Sequence, residues 1–201
     1  MARPADPHRR ETILRAATEV FTEQGFSDAR LADIAQRAGI VPSTLYLYFR
    51  SKEEMVFAIA RENRQLLLDR LEPVLAHLRT EEDIAQFVEV VFAFAQEHRD
   101  QLIVTELGSG LNFTGRRNRR VEPGPRIARG IEVIRLLVAE GALYPYDPRL
   151  VMDMLIMMTR WIISQFLSIG EQEEGEPFKR FCVQWLSQAL LSGKGGPGLS
   201  E

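Results

Sequence analysis

Four hydroxyl-bearing side chains, Ser43, Thr44, Tyr46 and Tyr48, stand within seven residues of one another and are followed at once by the cations Arg50 and Lys52. Hydroxyls and fixed positive charges at this density suit the oxygens of a phosphodiester backbone, to which most protein–nucleic acid hydrogen bonds are made. The alternative for the tyrosines is simple packing, since aromatic residues at helical spacing are also what a small core uses. Catalytic patterns are missing. His8, His77 and His98 are scattered, so neither H-E-x-x-H nor any other metal-ligand spacing occurs. Gly108 and Gly110 lack the third glycine and the preceding strand of a dinucleotide loop, and there is no G-x-S-x-G elbow. The carboxylates in EEDIAQ and EQEEGE read as a helix start and a loop. The expectation is a binding protein, with no cofactor and no metal.

The elements around the hydroxyls explain how they would be held. In LADIAQRA, Leu31, Ile34, Ala35 and Ala38 fall at i, i+3, i+4 and i+7, giving a short helix one apolar stripe. Gly39, which tolerates positive φ, ends it. Pro42 suits the first turn of a second helix, PSTLYLYF, because its missing N–H would have had no intrahelical partner. Leu45 and Phe49, four apart, turn inward. Ser43, Thr44, Leu47 and Tyr48 are left to the outside or the edge, and Tyr46 is placed to set its hydroxyl on a phosphate. Ser51 and Glu54 form a capping box opening a third, longer helix, whose N-terminus beside Arg50 and Lys52 offers a second phosphate site. Helix, tight turn, helix is the order of a helix-turn-helix, in which the first helix braces and the second enters the major groove.

Residues 9–57 resemble the DNA-binding domain of the TetR family of bacterial transcription regulators, and TLYLYFRSKEEM is similar to that family's characteristic stretch. Carried over by position, the resemblance implies DNA contacts at Arg30, Val41, Pro42, Ser43, Thr44, Tyr46, Tyr48 and Lys52. The chain departs from the pattern in three places. Ala29 and Arg30 stand where Thr or Ser is usual, leaving Asp28 or Ser27 to cap the bracing helix. Val41 replaces a common capping Ser. Leu47 and Tyr48 replace a frequent aromatic or polar residue and a frequent His, so an operator sequence does not transfer from relatives.

Composition agrees. The chain has 201 residues and a formal net charge of −3, so nucleic-acid binding must come from a local patch and not from bulk charge. Residues 1–52 carry eight Lys or Arg against six Asp or Glu, while the remainder carries 17 against 22. Arg3, Arg9 and Arg10 either add minor-groove or phosphate contacts or form a solvated arm. Cys182 is the single cysteine, which precludes an intrachain disulfide and fits a reducing cytosol; it reads as a small buried hydrophobe, a redox-sensing thiol being the alternative. MARPADPHRR lacks the apolar region of a signal peptide, and the apolar run 151–169 is interrupted by Asp153 and Arg160. A cytoplasmic protein is expected, with no membrane partner.

Punctuation sets the organisation. Asp6-Pro7 opens a helix ending at Gly25; a long helix runs from Ser51 to about Leu71, before Pro73; further helices cover about 80–98, 100–114, 126–140, 149–169 and 177–191. No alternation is long enough for a sheet. The class expected is all-α, about nine helices, with a helix-turn-helix domain over 1–50, a helical ligand-binding and dimerisation domain over 51–192, and a disordered Gly-rich tail over 193–201.

The helix at 149–169 is apolar nearly all round and must be covered on two sides. Met152, Ile156 and Ile163, with Phe178, Phe181 and Trp185 of the last helix, are expected at a homodimer interface, as the resemblance implies; the alternative is that both helices close the monomer core. A symmetric dimer matches the need for two recognition helices to reach half-sites about 34–36 Å apart. The resemblance also implies an effector pocket in the second domain. Phe92, Leu102, Phe113, Met154, Met158 and Trp161 are its candidate apolar lining, and His98, Glu106, Asn112 and Arg135 its candidate polar groups. Arg116, Arg117, Arg119 and Arg120 either grip the phosphates of an acyl-CoA or form a solvated loop. The function expected is a dimeric, ligand-responsive transcription regulator, a repressor, on a palindromic double-stranded DNA operator; the alternative is a helical protein-interaction module whose helix-turn-helix does not bind DNA.

Overall fold

Nine helices, with no strand beyond one isolated bridge, make up the described residues of the computed structural model, which are 6–109, 124–169 and 175–192. They are α1 (Pro7–Asp28), α2 (Leu31–Arg37), α3 (Pro42–Leu45), α4 (Lys52–Leu75), α5 (Glu81–Glu97), α6 (Arg99–Ser109), α7 (Pro125–Ala139), α8 (Pro148–Ile169) and α9 (Gly175–Leu190). By packing they fall into two units. One holds residues 6–65 and 98–109, the other 66–97, 124–169 and 175–192. The expected division at residue 50 therefore lies elsewhere. The first half of α4 packs with the N-terminal helices, and α6 joins them from later in the chain.

In the first unit α1 packs chiefly on α6 and α2, and α2 on α3. The core is Ile13, Ala17 and Phe21 of α1, Ile34 and Ala35 of α2, Leu45 and Phe49 around α3, Met55 and Ile59 of α4, and Val104 of α6. Asp6 caps α1 by accepting a hydrogen bond from the His8 amide at 3.0 Å, with Pro7 at the first helical position. Gly25 breaks the helical course with φ 79° and ψ 160°, yet the helix resumes to Asp28. That continuation places Ser27 and Asp28 inside α1, so neither caps α2. The residue at the α2 N-cap is Arg30, whose side chain makes no capping bond.

α4 does not stop before Pro73 but carries it internally. Proline costs a helix interior one donor and about 3 kcal/mol. Continuation is offset by burial of Leu71, Val74 and Leu75 on either side of it. Arg126 and Arg129 of α7 pair with Asp69 and Glu72 along the same stretch, at 2.8 and 3.1 Å.

The second unit is built on α5, which packs on α8 and α9, while α7 packs on α8. Its buried centre includes Phe87, Val91 and Phe94 of α5, Ile134 and Leu137 of α7, Leu155 and Ile162 of α8, and Cys182 and Leu186 of α9. Asp147 caps α8, accepting from the Arg149 and Leu150 amides at 2.9 and 3.1 Å. The bridge joins Leu143 to Leu191: the Tyr144 amide donates to Leu190 O at 2.9 Å and the Ser192 amide to Ala142 O at 3.2 Å, strapping the end of α9 to the α7–α8 turn.

At the head of α5, Thr80 Oγ1 accepts from the Asp83 amide at 3.2 Å, and Asp83 Oδ2 accepts from the Thr80 hydroxyl and amide, both at 2.8 Å. The Thr80 hydroxyl, with the Arg79 and Thr80 amides, holds the Asp83 carboxyl below its ordinary value. Thr80→Ala is expected to lower stability by about 1 kcal/mol, as loss of a Thr cap does, and to raise the Asp83 titration midpoint. Urea denaturation and NMR titration measure the two.

Cys182 is fully buried, and burial pushes its thiol up to about 11. The thiol therefore stays neutral at physiological pH, against the redox-sensor alternative. Native protein should resist iodoacetamide that labels the urea-unfolded chain completely. Because the folded state holds the proton more tightly than the unfolded state, stability should fall as pH rises from the ordinary thiol range toward 11. Rapid labelling of the folded protein at neutral pH would contradict this.

Candidate nucleic-acid interface

The bracing helix and the turn close as a Schellman motif. The Ile40 amide donates to Ala35 O at 3.0 Å and the Gly39 amide to Gln36 O at 3.1 Å, with Gly39 at φ 67°. Arg37 of α2 reaches Glu19 and Glu23 of α1 at 3.1 and 2.7 Å, and the Arg37 hydrogen bond holds the Glu23 carboxyl below its ordinary value. Arg10 of α1 pairs with Glu62 of α4 and lies 5.3 Å over the Phe49 ring. Cations near the motif are thus partly spent on holding its helices together.

Val41 precedes α3 with no side-chain cap, and Pro42 occupies the first turn. The α-helix is shorter than the expected 42–49. After Leu45 the Leu47 and Tyr48 amides bond three residues back, to Thr44 O and Leu45 O at 3.1 and 3.0 Å, so the chain tightens into 3₁₀-like turns. Leu45 and Phe49 are buried, as the four-residue spacing predicts. Pro42, Ser43 and Tyr46 are exposed and Thr44 half-buried. Tyr48 takes the edge, half-buried against the core. Val41 and Leu47 are 61% and 79% exposed, so the outer surface around α3 is a strip of apolar side chains among hydroxyls.

Lys52 is the main correction. Its ammonium donates to Phe26 O, Ser27 O and Ala29 O at 2.6, 3.0 and 2.9 Å and sits 4.8 Å over the Phe26 ring. Those bonds use all three donors of a lysine, so its assignment as a DNA contact does not fit this geometry. The expected phosphate site at the α4 N-terminus is also occupied. The Glu54 amide donates to Ser51 Oγ at 3.3 Å, Glu54 accepts from the Arg50 amide at 2.7 Å, and the Ser51 hydroxyl holds the Glu53 carboxyl below its ordinary value. The guanidinium groups of Arg30 and Arg50 belong to exposed residues and enter no ion pair among the described residues.

The expected pocket residues divide between the units. His98, Leu102 and Glu106 belong to the first; Phe92, Arg135, Met154, Met158 and Trp161 belong to the second. Asn112 and Phe113 lie outside the described residues, as do Arg116, Arg117, Arg119, Arg120 and the tail from residue 193. Leu102 and Phe92 are buried, with Phe92 edge-on to Phe166 and Phe178. His98 Nδ1 lies 2.9 Å from Gln101 Oε1. Arg135 points outward, paired with Glu132 at 2.9 Å, and Trp161 is exposed beside Phe178 and Phe181; among the described residues neither lines a closed pocket.

The interface residues divide as well. Met152 and Ile163 are buried within the chain, packed in its own core, and so cannot form an outer face. Ile156 and Phe178 are half-buried. Phe181 and Trp185 are 52% and 42% exposed, and Leu150, Met157 and Trp161 of α8 are exposed too. Their spacing of seven and four residues marks one stripe, a signal present in the sequence. By length and composition alone, α8 is long and apolar enough to cross a membrane with Asp153 and Arg160 inside it, a property that core helices of soluble proteins share. Its residues divide among buried, half-buried and exposed positions, so the chain covers only part of it.

A braced turn, a short exposed helix and an all-helical second unit define a helix-turn-helix regulator class. Residues 13–59 match the family model for bacterial regulatory proteins of the tetR family. This chain belongs to the TetR family. It is similar to the uncharacterised HTH-type transcriptional regulator YvdT of Bacillus subtilis, 34% identical over 108 residues, 52% of this chain and 54% of the relative. It is also similar to the fatty acid metabolism regulator protein of the same organism, 30% identical over 96 residues, 47% and 50% of the two chains. The matched stretches span about half the length of these curated relatives. Among solved structures, FadR from Bacillus subtilis in complex with stearoyl-CoA shares the fold, with TM-score 0.63 at 20% identity over 88% of this chain and 96% of that one.

Proposed function

We propose that the chain is a homodimeric transcription repressor, cytoplasmic, that occupies a palindromic DNA operator and leaves it on binding a small apolar or amphipathic effector. The observation that carries the reading is the surface around α3: Ser43, Tyr46, Val41 and Leu47 are outward while Leu45 and Phe49 anchor the segment from behind. Arg30, Val41, Pro42, Ser43, Thr44, Tyr46 and, at the edge, Tyr48 are the proposed DNA contacts, with Arg50 added and Lys52 withdrawn. The apolar stripe on α8 with Phe181 and Trp185 is the proposed dimer face. The stearoyl-CoA held by Bacillus subtilis FadR is the kind of effector to try first.

Selection of bound duplexes from a random pool, followed by titration of the best site at several salt concentrations, tests the reading. A palindromic consensus with steep salt dependence is expected. Folded protein that enriches no sequence would overturn it and leave the protein-interaction alternative. Val41 and Leu47 suit thymine methyl groups in the major groove. Replacing thymine by uracil at the consensus position they face should weaken binding severalfold, and Val41→Ala with Leu47→Ala should erase that difference.

A further inference from the structure

We infer that Lys52 is a positioning residue, a clamp joining the start of α4 to the α1–α2 junction, and that the phosphate contacts of this module are made by other cations. The inference rests on the DNA-binding reading above for its functional consequence, and on geometry for the clamp itself. Phe26 and Ser27 belong to the last turn of α1, where carbonyls lack intrahelical donors. Ala29 is the residue at the C-cap. The Lys52 ammonium meets one carbonyl from each, at 2.6, 3.0 and 2.9 Å, so three converging acceptors satisfy three tetrahedral donors. One further effect favours a cation there: the Phe26 ring face is 4.8 Å away.

The clamp's position gives it a role. Lys52 is the first residue of α4, while Arg30, next to Ala29, is the residue from which α2 starts. The ammonium therefore fixes where the bracing helix leaves α1, and through α2 and its Schellman turn it fixes the exposed strip from Val41 to Leu47. A phosphate oxygen could reach this ammonium only by displacing a carbonyl, leaving that oxygen without its donor. A guanidinium cannot replace the ammonium either, because its planar fork does not match three carbonyls converging on a point.

The test measures affinity for the selected operator as a function of salt for wild type, Lys52→Met, Lys52→Arg and Arg50→Ala, with thermal unfolding of each. Each phosphate contact contributes about 0.9 to the slope of log K against log salt. The clamp predicts that Lys52→Met binds about tenfold or more weakly at every salt concentration, with the wild-type slope, and that Lys52→Arg falls with it. Arg50→Ala should keep the melting temperature and lose slope. A Lys52→Met protein with unchanged melting temperature and a slope reduced as in Arg50→Ala would overturn the inference, as would a Lys52→Arg protein indistinguishable from wild type. If Lys52→Met does not fold, Lys52→Arg alone decides. Failure of wild type to bind any duplex would count against the DNA reading and not the clamp, which then stands or falls on whether both Lys52 variants lower the melting temperature.

Discussion

Exchanging Phe49 for alanine is expected to lower stability by about 3–5 kcal/mol, the range for deleting a buried phenyl ring. The ring is almost wholly excluded from water, in a core shared by α1, α2, α4 and α6. It also carries the Arg10 guanidinium on its face, which holds α1 against α4 through Glu62. A whole domain is stable by only about 5–15 kcal/mol, so the loss is a large fraction. Urea denaturation followed by circular dichroism measures it. Operator affinity should fall with it, because the strip from Val41 to Leu47 is held from behind by this ring and Leu45. A loss near or below 1 kcal/mol would show that the cavity collapses and that the motif does not hang on this side chain.

Phe181→Asp with Trp185→Asp is the second large effect, and it separates assembly from folding. Both side chains are about half exposed in the single chain, so a carboxylate there meets water and the fold should persist. In the proposed dimer the same carboxylates would be buried against apolar side chains. Interface aromatics of this kind are worth about 2 kcal/mol or more each, and a two-fold axis counts every change twice. Because such values do not add, about half the straight sum of roughly 8 kcal/mol is expected, about 4 kcal/mol, which is roughly a thousandfold weakening of dimerisation. Sedimentation velocity would show a monomer with unchanged circular dichroism, and operator affinity should collapse because the two half-sites are no longer bound together. A wild-type protein already monomeric at micromolar concentration would remove the interface from the proposal. Substitution at Met152 or Ile163 should instead damage the fold, since the chain buries both on its own.

Where a feature depends on near neighbours, it was legible. Asp6-Pro7, Ser51, Thr80 and Asp147-Pro148 mark helix starts because a cap satisfies amides two or three residues away. Leu45 and Phe49 point inward because four residues make about one turn. Features set by distant partners were not legible. Lys52 looks like a phosphate ligand beside Arg50, and only the fold brings it to carbonyls more than twenty residues earlier. Pro73 looks like a stop, and only the burial around it shows why α4 continues. A helix apolar on all sides, such as α8, says that it must be covered but not which residues the chain covers itself. That is why Met152 and Ile163 exchange roles with Met157 and Leu150. The unit boundary inside α4 has no local mark, because the helix changes neighbours without changing conformation.

Around α3 the chain separates two duties between neighbouring side chains. Leu45, Phe49 and Lys52 hold the frame, whereas Val41, Ser43, Tyr46 and Leu47 are turned outward and the described hydrogen bonds of the frame do not pass through their side chains. Changes at such exposed positions usually alter stability by no more than about 0.5 kcal/mol. On the proposed reading, descendants of this chain can be readdressed, acquiring new targets by drift at four surface positions while the scaffold is inherited intact.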